Sequence, residues 1–220
     1  MLKKIADNRD EQSMAVKFRK RRFAFFNSLL SRLKRPVSIL DVGGAETYWK
    51  TMGMTADDYV SVTLLNLTKE DVTLPNLTSI VGDAREVDFE DNSFDVIFSN
   101  SVIEHVGGYA DQMKMANEVR RVGKRYFIQT PNKYFPLEPH FLFPFFQFLP
   151  LTVRVRLLQN FNLGWFPRTP DPAKAREVVE SIRLLGRHEF LELFPHAHLY
   201  EEKVFGMTKS FVAYEGWSLA

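Results

Sequence analysis

Five short runs of β character, at residues 38–42, 59–65, 78–81, 94–99 and 125–131, are separated by segments of helical or turn character. Between the fourth and fifth runs, "GYADQMKMANEVRRVG" spaces its apolar residues as one face of a helix, and Gly123 closes it. This strand–connection–strand repeat constrains the chain more than any other feature. Parallel strands need crossover connections, so the pattern predicts an α/β fold, a mostly parallel sheet flanked by helices. Two later runs, 199–205 and 209–214, predict a hairpin that closes one sheet edge and brings the strands to seven. Two helices are expected before that hairpin, at 173–185 and 188–194. In sheets of this kind a ligand sits beyond the carboxyl ends of the strands, near the switch in strand order. The residues that follow each run are therefore the candidate site.

The first run ends in Asp41-Val42-Gly43-Gly44-Ala45-Glu46-Thr47. Glycines here permit positive φ and a close approach of backbone to ligand. A dinucleotide fingerprint reads G-x-G-x-x-G, but from Gly43 the third glycine position is Tyr48. A GxxxxGK[ST] phosphate loop is also missing from the sequence. The turn therefore suits a ligand without phosphate. The second run leads into Asn66 and Leu67, where a nucleoside site places a group for the ribose hydroxyls; Asn66 can both accept and donate. The third leads into Gly82-Asp83-Ala84, a carboxylate for an exocyclic amine followed by a backbone N–H. The fourth leads into Asn100-Ser101 and then Glu104-His105. Tyr48, Trp49 and Phe98 read as core residues.

In motif order and content, "ILDVGG", "GDA", "FEDNSFDVIFSNSVIEHV" and "RYFIQTPN" resemble the class I S-adenosylmethionine-dependent methyltransferases, nearest the small-molecule methyltransferase domain 11 type. The resemblance covers about residues 37–132. It implies a Rossmann-like sheet and S-adenosylmethionine as cofactor. Asp41, Gly43, Gly44 and Ala45 would hold the amino-acid end, Asn66 and Leu67 the ribose, Asp83 and Ala84 the adenine, and Asn100 or Ser101 the methionine side. Two motifs depart from the family pattern: Ala45 and Thr47 stand where D-x-G-x-G-x-G has glycines, and Asn66 stands where an acid is usual.

After Pro131 the period is lost. Residues 132–172 are rich in Phe and Pro and read as a lid over the ligand end of the sheet, within a single domain spanning 1–220. In "KYFPLEPH", Pro136 and Pro139 flank Leu137-Glu138 and fix φ, holding Glu138 and His140 over the pocket. A histidine titrates near neutral pH, so His140, supported by Glu138, is the candidate general base, with His105 the next. "FLFPFFQFLPL" is too short and too broken by proline to span a bilayer. It reads as core or lid, with interfacial membrane contact or a dimer surface as competing uses.

Charge divides along the chain. Residues 1–35 hold eleven Lys and Arg against three acids, leaving the rest at −6. The plain reading of this basic segment, a helix ended by Pro36, is a solvated face; the sharper one is contact with anionic lipid, a phosphorylated substrate or nucleic acid. Without cysteine there are no disulfides and no thiolate metal sites. His196-x-His198 lacks an evident third ligand, so no metal site is expected. The polar, basic N-terminus has no signal-peptide core, which makes cytoplasm the expected location. The activity expected is methyl transfer to a small-molecule or lipid-like acceptor. An Asn/Asp-Pro-Pro-Tyr sequence is absent after the fourth run, which disfavours a DNA base or protein amide. The alternatives are an RNA-directed methyltransferase using the basic helix, and a non-catalytic cofactor-binding regulator or scaffold. The sequence carries no marker of oligomeric state.

Overall fold

The computed structural model describes residues 12–56 and 59–217, with Lys3, Asp7 and Asp10; the basic residues Lys4 and Arg9 lie outside the described residues. The five runs form parallel strands: β1 (Val37–Val42), β2 (Val60–Asn66), β3 (Leu77–Val81), β4 (Val96–Asn100) and β5 (Tyr126–Pro131). The chain steps outward from β1 to β2 and β3, then crosses back to lay β4 on the other side of β1. The topological switch therefore falls between the carboxyl ends of β1 and β4, where the Gly43 turn and Asn100 lie.

Alternation of side chains along the strands sets the two faces. Leu40, Val42, Ile97 and Ile128 pack with helix α3 (Tyr109–Val122) and helix α6 (Arg187–Leu193) on one face. Ile39, Phe98 and Phe127 pack with helices α1 (Met14–Leu30) and α2 (Glu46–Thr51) on the other. The same period turns Asp41 toward α1 and α2. Ser13 caps α1, its hydroxyl accepting from Val16 N–H at 3.1 Å, and Phe26, Leu29 and Leu30 bury its inner stripe.

The terminal hairpin is β8 (His198–Val204) and β9 (Met207–Glu215), and β9 inserts antiparallel beside β5, giving the order β3-β2-β1-β4-β5-β9-β8. Phe205 is not in the strand, as its apolar side chain implies, but at the turn. Phe205 and Gly206 both take positive φ (49° and 81°), the geometry of a two-residue hairpin loop, and Phe205 is 97% exposed. The helix expected at 173–185 is shorter, α5 (Pro172–Glu180), capped by Asp171; the residues after it extend so that Leu185 bridges Asn132.

Residues 132–172 have structure of their own. Leu137–Glu138 (β6) pairs with Phe143–Pro144 (β7), and helix α4 (Leu151–Asn160) lies on α5. Phe141, Phe146, Leu158 and Leu163 join Ala175 and Val179 of α5 in a third apolar cluster. Trp165 N–H to His140 O (3.1 Å) closes this layer on itself, Lys133 N–H to Leu185 O (3.0 Å) and Asn132 N–H to Lys209 O (2.9 Å) tie its start to the neighbouring segments, and Arg183 N–H to Glu104 O (2.8 Å) ties the residues after α5 to the turn after β4.

Candidate active site

Gly43 takes φ +71° and donates its N–H to Leu65 O at 2.8 Å, which bends the chain sharply off β1. A Cβ at Gly43 would lie 2.5 Å from Val102 Cγ2, and one at Gly44 would lie 1.8 Å from Asp41 Oδ2. Both positions require glycine, and both keep the turn clear for a ligand. Beside the turn Asp41 is buried and accepts from Trp49 Nε1 at 2.7 Å. Burial pushes its pKa up to about 8 against the opposing indole hydrogen bond.

Two cavities open at the turn and share Gly43. One, of about 500 Å³, is lined by Val16, Arg19, Asp41, Tyr48, Phe98 and Asn100 among others. The other, of about 540 Å³, is lined by Asn66, Asp83, Ala84, Val102 and His105 among others, with Leu67 exposed at its rim. The expected cofactor residues of β1, β2 and β3 therefore line two adjoining cavities that meet at Gly43. Asn66 gives its amide N–H to Gly44 O (2.8 Å), bracing the turn. Asp83 is engaged by Arg85, with Nη2 at 2.6 Å, and this partner holds its carboxyl below the usual range.

Asn100 and Ser101 belong to a network that the sequence reading does not contain. Arg22 is buried and grips Glu202 of β8 through Nε (3.1 Å) and Nη2 (2.6 Å). Its Nη1 donates to Gln129 Oε1 (2.8 Å) and to Asn100 Oδ1. Ser101, at φ +60°, donates its hydroxyl to Gln129 Oε1 (2.8 Å). Part of the basic face is thus turned inward, against the expectation of a solvated helix surface. The signal was present: Arg22 sits in phase with Phe26, Leu29 and Leu33. Tyr48 also departs from a simple core role, for it lines the first cavity, and its hydroxyl is buried with no hydrogen-bond partner among the described residues. Trp49 and Phe98 are buried as expected, but Trp49 also serves the site through Asp41.

Glu138, His140 and His105 come together. Glu138 is buried and accepts from the backbone N–H groups of His140 (2.7 Å) and Phe141 (2.5 Å), while its Oε1 lies 2.7 Å from His140 Nδ1. His140 Nε2 is left facing Glu104 Oε1 at 4.0 Å. Glu104 is fully buried, with Oε2 accepting from Thr130 and Oε1 without a hydrogen bond. The rings of His105 and His140 meet edge to face at 4.8 Å. Burial pulls the His140 pKa down, but Glu138 and Glu104 more than offset it and leave it raised. His105 falls to about 4 through burial and the neighbouring His140 charge. Donor atoms of Glu104, His105 and His140 lie within 4.8 Å of one another, the spacing of a hydrogen-bonded or cation-holding cluster; His196 and His198 join no such group among the described residues.

Residues 44–126, from the turn to the first residue of β5, match the family "Methyltransferase domain". Over this segment the chain is similar to that methyltransferase domain, and the strand order puts the segment at the ligand end of a mostly parallel sheet. The chain shares its fold with Haemonchus contortus phosphoethanolamine N-methyltransferase 2, solved with S-adenosyl-L-methionine, at 16% identity over 82% of this chain and 38% of that one (TM-score 0.53). PH0226 protein from Pyrococcus horikoshii aligns at 18% identity over 90% and 89% of the two chains (TM-score 0.50). A chain from the complex of the Haloferax volcanii Trm112 methyltransferase activator with a methyltransferase aligns at 14% identity over 97% and 96% (TM-score 0.50). By sequence, the uncharacterized proteins MT1557 and Rv1509 of two Mycobacterium tuberculosis strains are each 40% identical over 62 residues, 28% of this chain. That segment spans 21% of the length of each relative.

Proposed function

We propose that this chain transfers the methyl group of S-adenosylmethionine to a small-molecule or lipid-like acceptor. One observation carries the proposal: two adjoining cavities at the topological switch, shaped by Gly43 and Gly44, with Asp41 in one and Asn66 and Asp83 in the other. When bound, the cofactor supplies a methyl carbon already activated by its sulfonium. Asp41, Gly43, Gly44 and Ala45 hold its amino-acid end. Asn66 and Leu67 serve the ribose, and Asp83 and Ala84 the adenine. Asn100 and Ser101, tied to Arg22 and Gln129, shape the methionine side.

In this proposal His140 takes the acceptor's proton at Nε2. Glu138 fixes the ring through Nδ1 and favours the imidazolium that results. His105, held neutral, lines the second cavity beside it. Residues 132–172 act as the lid of a single domain, and Phe145, Phe148 and Trp165 offer exposed apolar surface for a lipid-like acceptor or a membrane edge. No helix among the described residues is long and apolar enough to cross a membrane, and a cytoplasmic setting is part of the proposal. Burial of Arg22 removes one cation from the face that an RNA-directed enzyme would use. The test is incubation with methyl-labelled cofactor and fractionated cell extract. Label entering a small-molecule or lipid fraction supports the reading. Label in RNA or protein changes the acceptor class, and label in no fraction favours a scaffold.

A further inference from the structure

We propose that a third cavity, between residues 132–172, helix α5 and the turn after β4, is the acceptor site, and that it takes a compact acceptor whose apolar body carries an oxyanion held by Arg154. The inference rests on the methyl-transfer reading above and names the class of acceptor for it. The cavity measures about 360 Å³, room for a small ligand and not for a polymer. It shares Gly107 with the cavity that holds Asn66, Asp83 and His105. A Cβ built on the neighbouring Gly108 would meet no atom within 4 Å beyond its chain neighbours, so the junction stands open. Glu138, the partner of His140, lines the same cavity. A ligand seated there therefore lies beside the residue that fixes the proposed base, and next to the proposed cofactor site.

Phe141, Phe146, Val179 and Ile182 give the cavity an apolar wall. Three cations and two acids are set into it, and their existing partners decide what a ligand must bring. Arg183 is spent on Gln112 Oε1 (2.7 Å) and on Glu189. Glu180 pairs with Arg176 at 3.0 Å. Both oxygens of Glu138 are taken by His140 and Phe141. That leaves two cations. Arg154 is half-buried, its Nε is buried with no hydrogen-bond partner, and its guanidinium makes no ion pair among the described residues. Burial pushes its pKa down, and the more distant Glu180 and Glu138 only partly offset this. The Lys133 amine also has no hydrogen bond or ion pair among the described residues. A guanidinium so placed is stabilised by a planar or tetrahedral oxyanion, which it can hold through two parallel N–H···O bonds. Gln147 lines the cavity too. Its amide N–H groups are fixed on Lys133 O and Phe135 O, at 2.8 Å each, and its Oε1 is buried without a donor among the described residues. An acceptor bearing an O–H or N–H brings that donor. A neutral apolar ligand leaves the cations unpaired, and a free phosphate leaves the apolar wall uncovered.

The test compares small probes that differ in charge and body. At neutral pH, 3-hydroxybenzoate, phenyl phosphate, neutral 3-hydroxybenzyl alcohol and inorganic phosphate are titrated by calorimetry into the full-length wild type, Arg154→Met and Arg154→Lys. Each titration is run with and without saturating S-adenosylhomocysteine, and circular dichroism melts confirm folding. Wild type should bind an aryl anion about ten- to a hundredfold more tightly than the alcohol, the range of a charge-assisted hydrogen bond. The tighter of the two aryl anions identifies the oxyanion as carboxylate or phosphate. Arg154→Met should lose the preference for the anion, and Arg154→Lys should keep part of it. A wild type that binds none of the probes, or binds the alcohol as well as the anions, overturns the inference. So does a folded Arg154→Met that keeps the preference, or inorganic phosphate binding as tightly as the aryl anions, which marks an ion site without an acceptor body. If Arg154→Met does not fold, Lys133→Gln takes its place: anion affinity reduced severalfold supports the site, and unchanged affinity overturns it. Binding of S-adenosylhomocysteine without an anion preference removes this inference alone. An anion preference in a chain that does not bind S-adenosylhomocysteine removes the methyl-transfer reading, and the acceptor role with it.

Discussion

Replacing Arg22 by methionine is the sharpest perturbation of the architecture around the site. The substitution keeps an unbranched apolar stem and removes four hydrogen bonds, two to Glu202 and one each to Asn100 and Gln129. It leaves the Glu202 carboxylate, whose side chain is 2% exposed, with only the Ser210 hydroxyl donating to it and the charge of Lys209 nearby. Breaking a buried pair from one side costs about 3–5 kcal/mol, because the remaining charge stays desolvated. For a chain of this length each kcal/mol moves the melting temperature by about 2–4 °C, so the expected drop is about 10 °C. Urea unfolding should show a lower midpoint with an unchanged slope. Adding Glu202→Gln to Arg22→Met should recover most of the loss, giving a coupling of about 2 kcal/mol or more in the double-mutant cycle. The pH dependence gives an independent check. Burial raises the Glu202 pKa, and the charge and hydrogen bonds of Arg22 overcome that and leave it lowered. Its contribution is therefore present above the ordinary glutamate range and lost as pH falls through the lowered value. That acid limb should vanish in Arg22→Met. A single-variant cost below about 1 kcal/mol, or no recovery on adding Glu202→Gln, would refute the reasoning.

Gly43→Ala should abolish binding of S-adenosylhomocysteine and also lower the melting temperature, because the new Cβ meets Val102 and the backbone sits at φ +71°; wild-type affinity by calorimetry would count against the site. His140→Ala should keep cofactor affinity and cut turnover on the identified acceptor by about a hundredfold, the scale of general-base loss. Neutral His140 is the active form, so turnover should rise with pH through its raised pKa, and Glu138→Gln should move that limb to lower pH; a limb that stays put separates Glu138 from the base. Asp41, neutral in the fold up to about pH 8, should make the wild type lose stability as pH climbs from about 4, where unfolded carboxylates ionise, toward 8; Asp41→Asn should flatten that decline in thermal melts.

What was legible in the sequence follows from which interactions are local. The parallel strands were legible because each is a short apolar run followed by a turn. The cavities were legible for the same reason, since Gly43, Asn66 and Asp83 each stand at or just past a strand end. Boundaries moved where side-chain type misleads. Phe205 looks like strand but turns the hairpin, and the helix that starts at Pro172 ends at Glu180 although its apolar residues run on. The Arg22 network was not legible, because it joins residues 78, 107 and 180 positions apart. The helical phase that puts Arg22 inward was visible, but its partners on β4, β5 and β8 could not be read from spacing. The Glu138–His140 contact was legible in part. The two prolines marked a stiff segment, and the β6–β7 pairing and the bonds from His140 and Phe141 N–H fix Glu138 within it. Glu104, with its unpartnered oxygen beneath His140, needed the fold.

Calorimetric titration of the full-length chain with S-adenosylhomocysteine, and in parallel with NAD, tests the central claim most directly. The site at Gly43 lacks the third glycine of a dinucleotide site, where Tyr48 stands, and carries Asp83 and Ala84 past β3. The account predicts saturable one-site binding of S-adenosylhomocysteine and no heat from NAD. Binding of NAD with none of S-adenosylhomocysteine would contradict it.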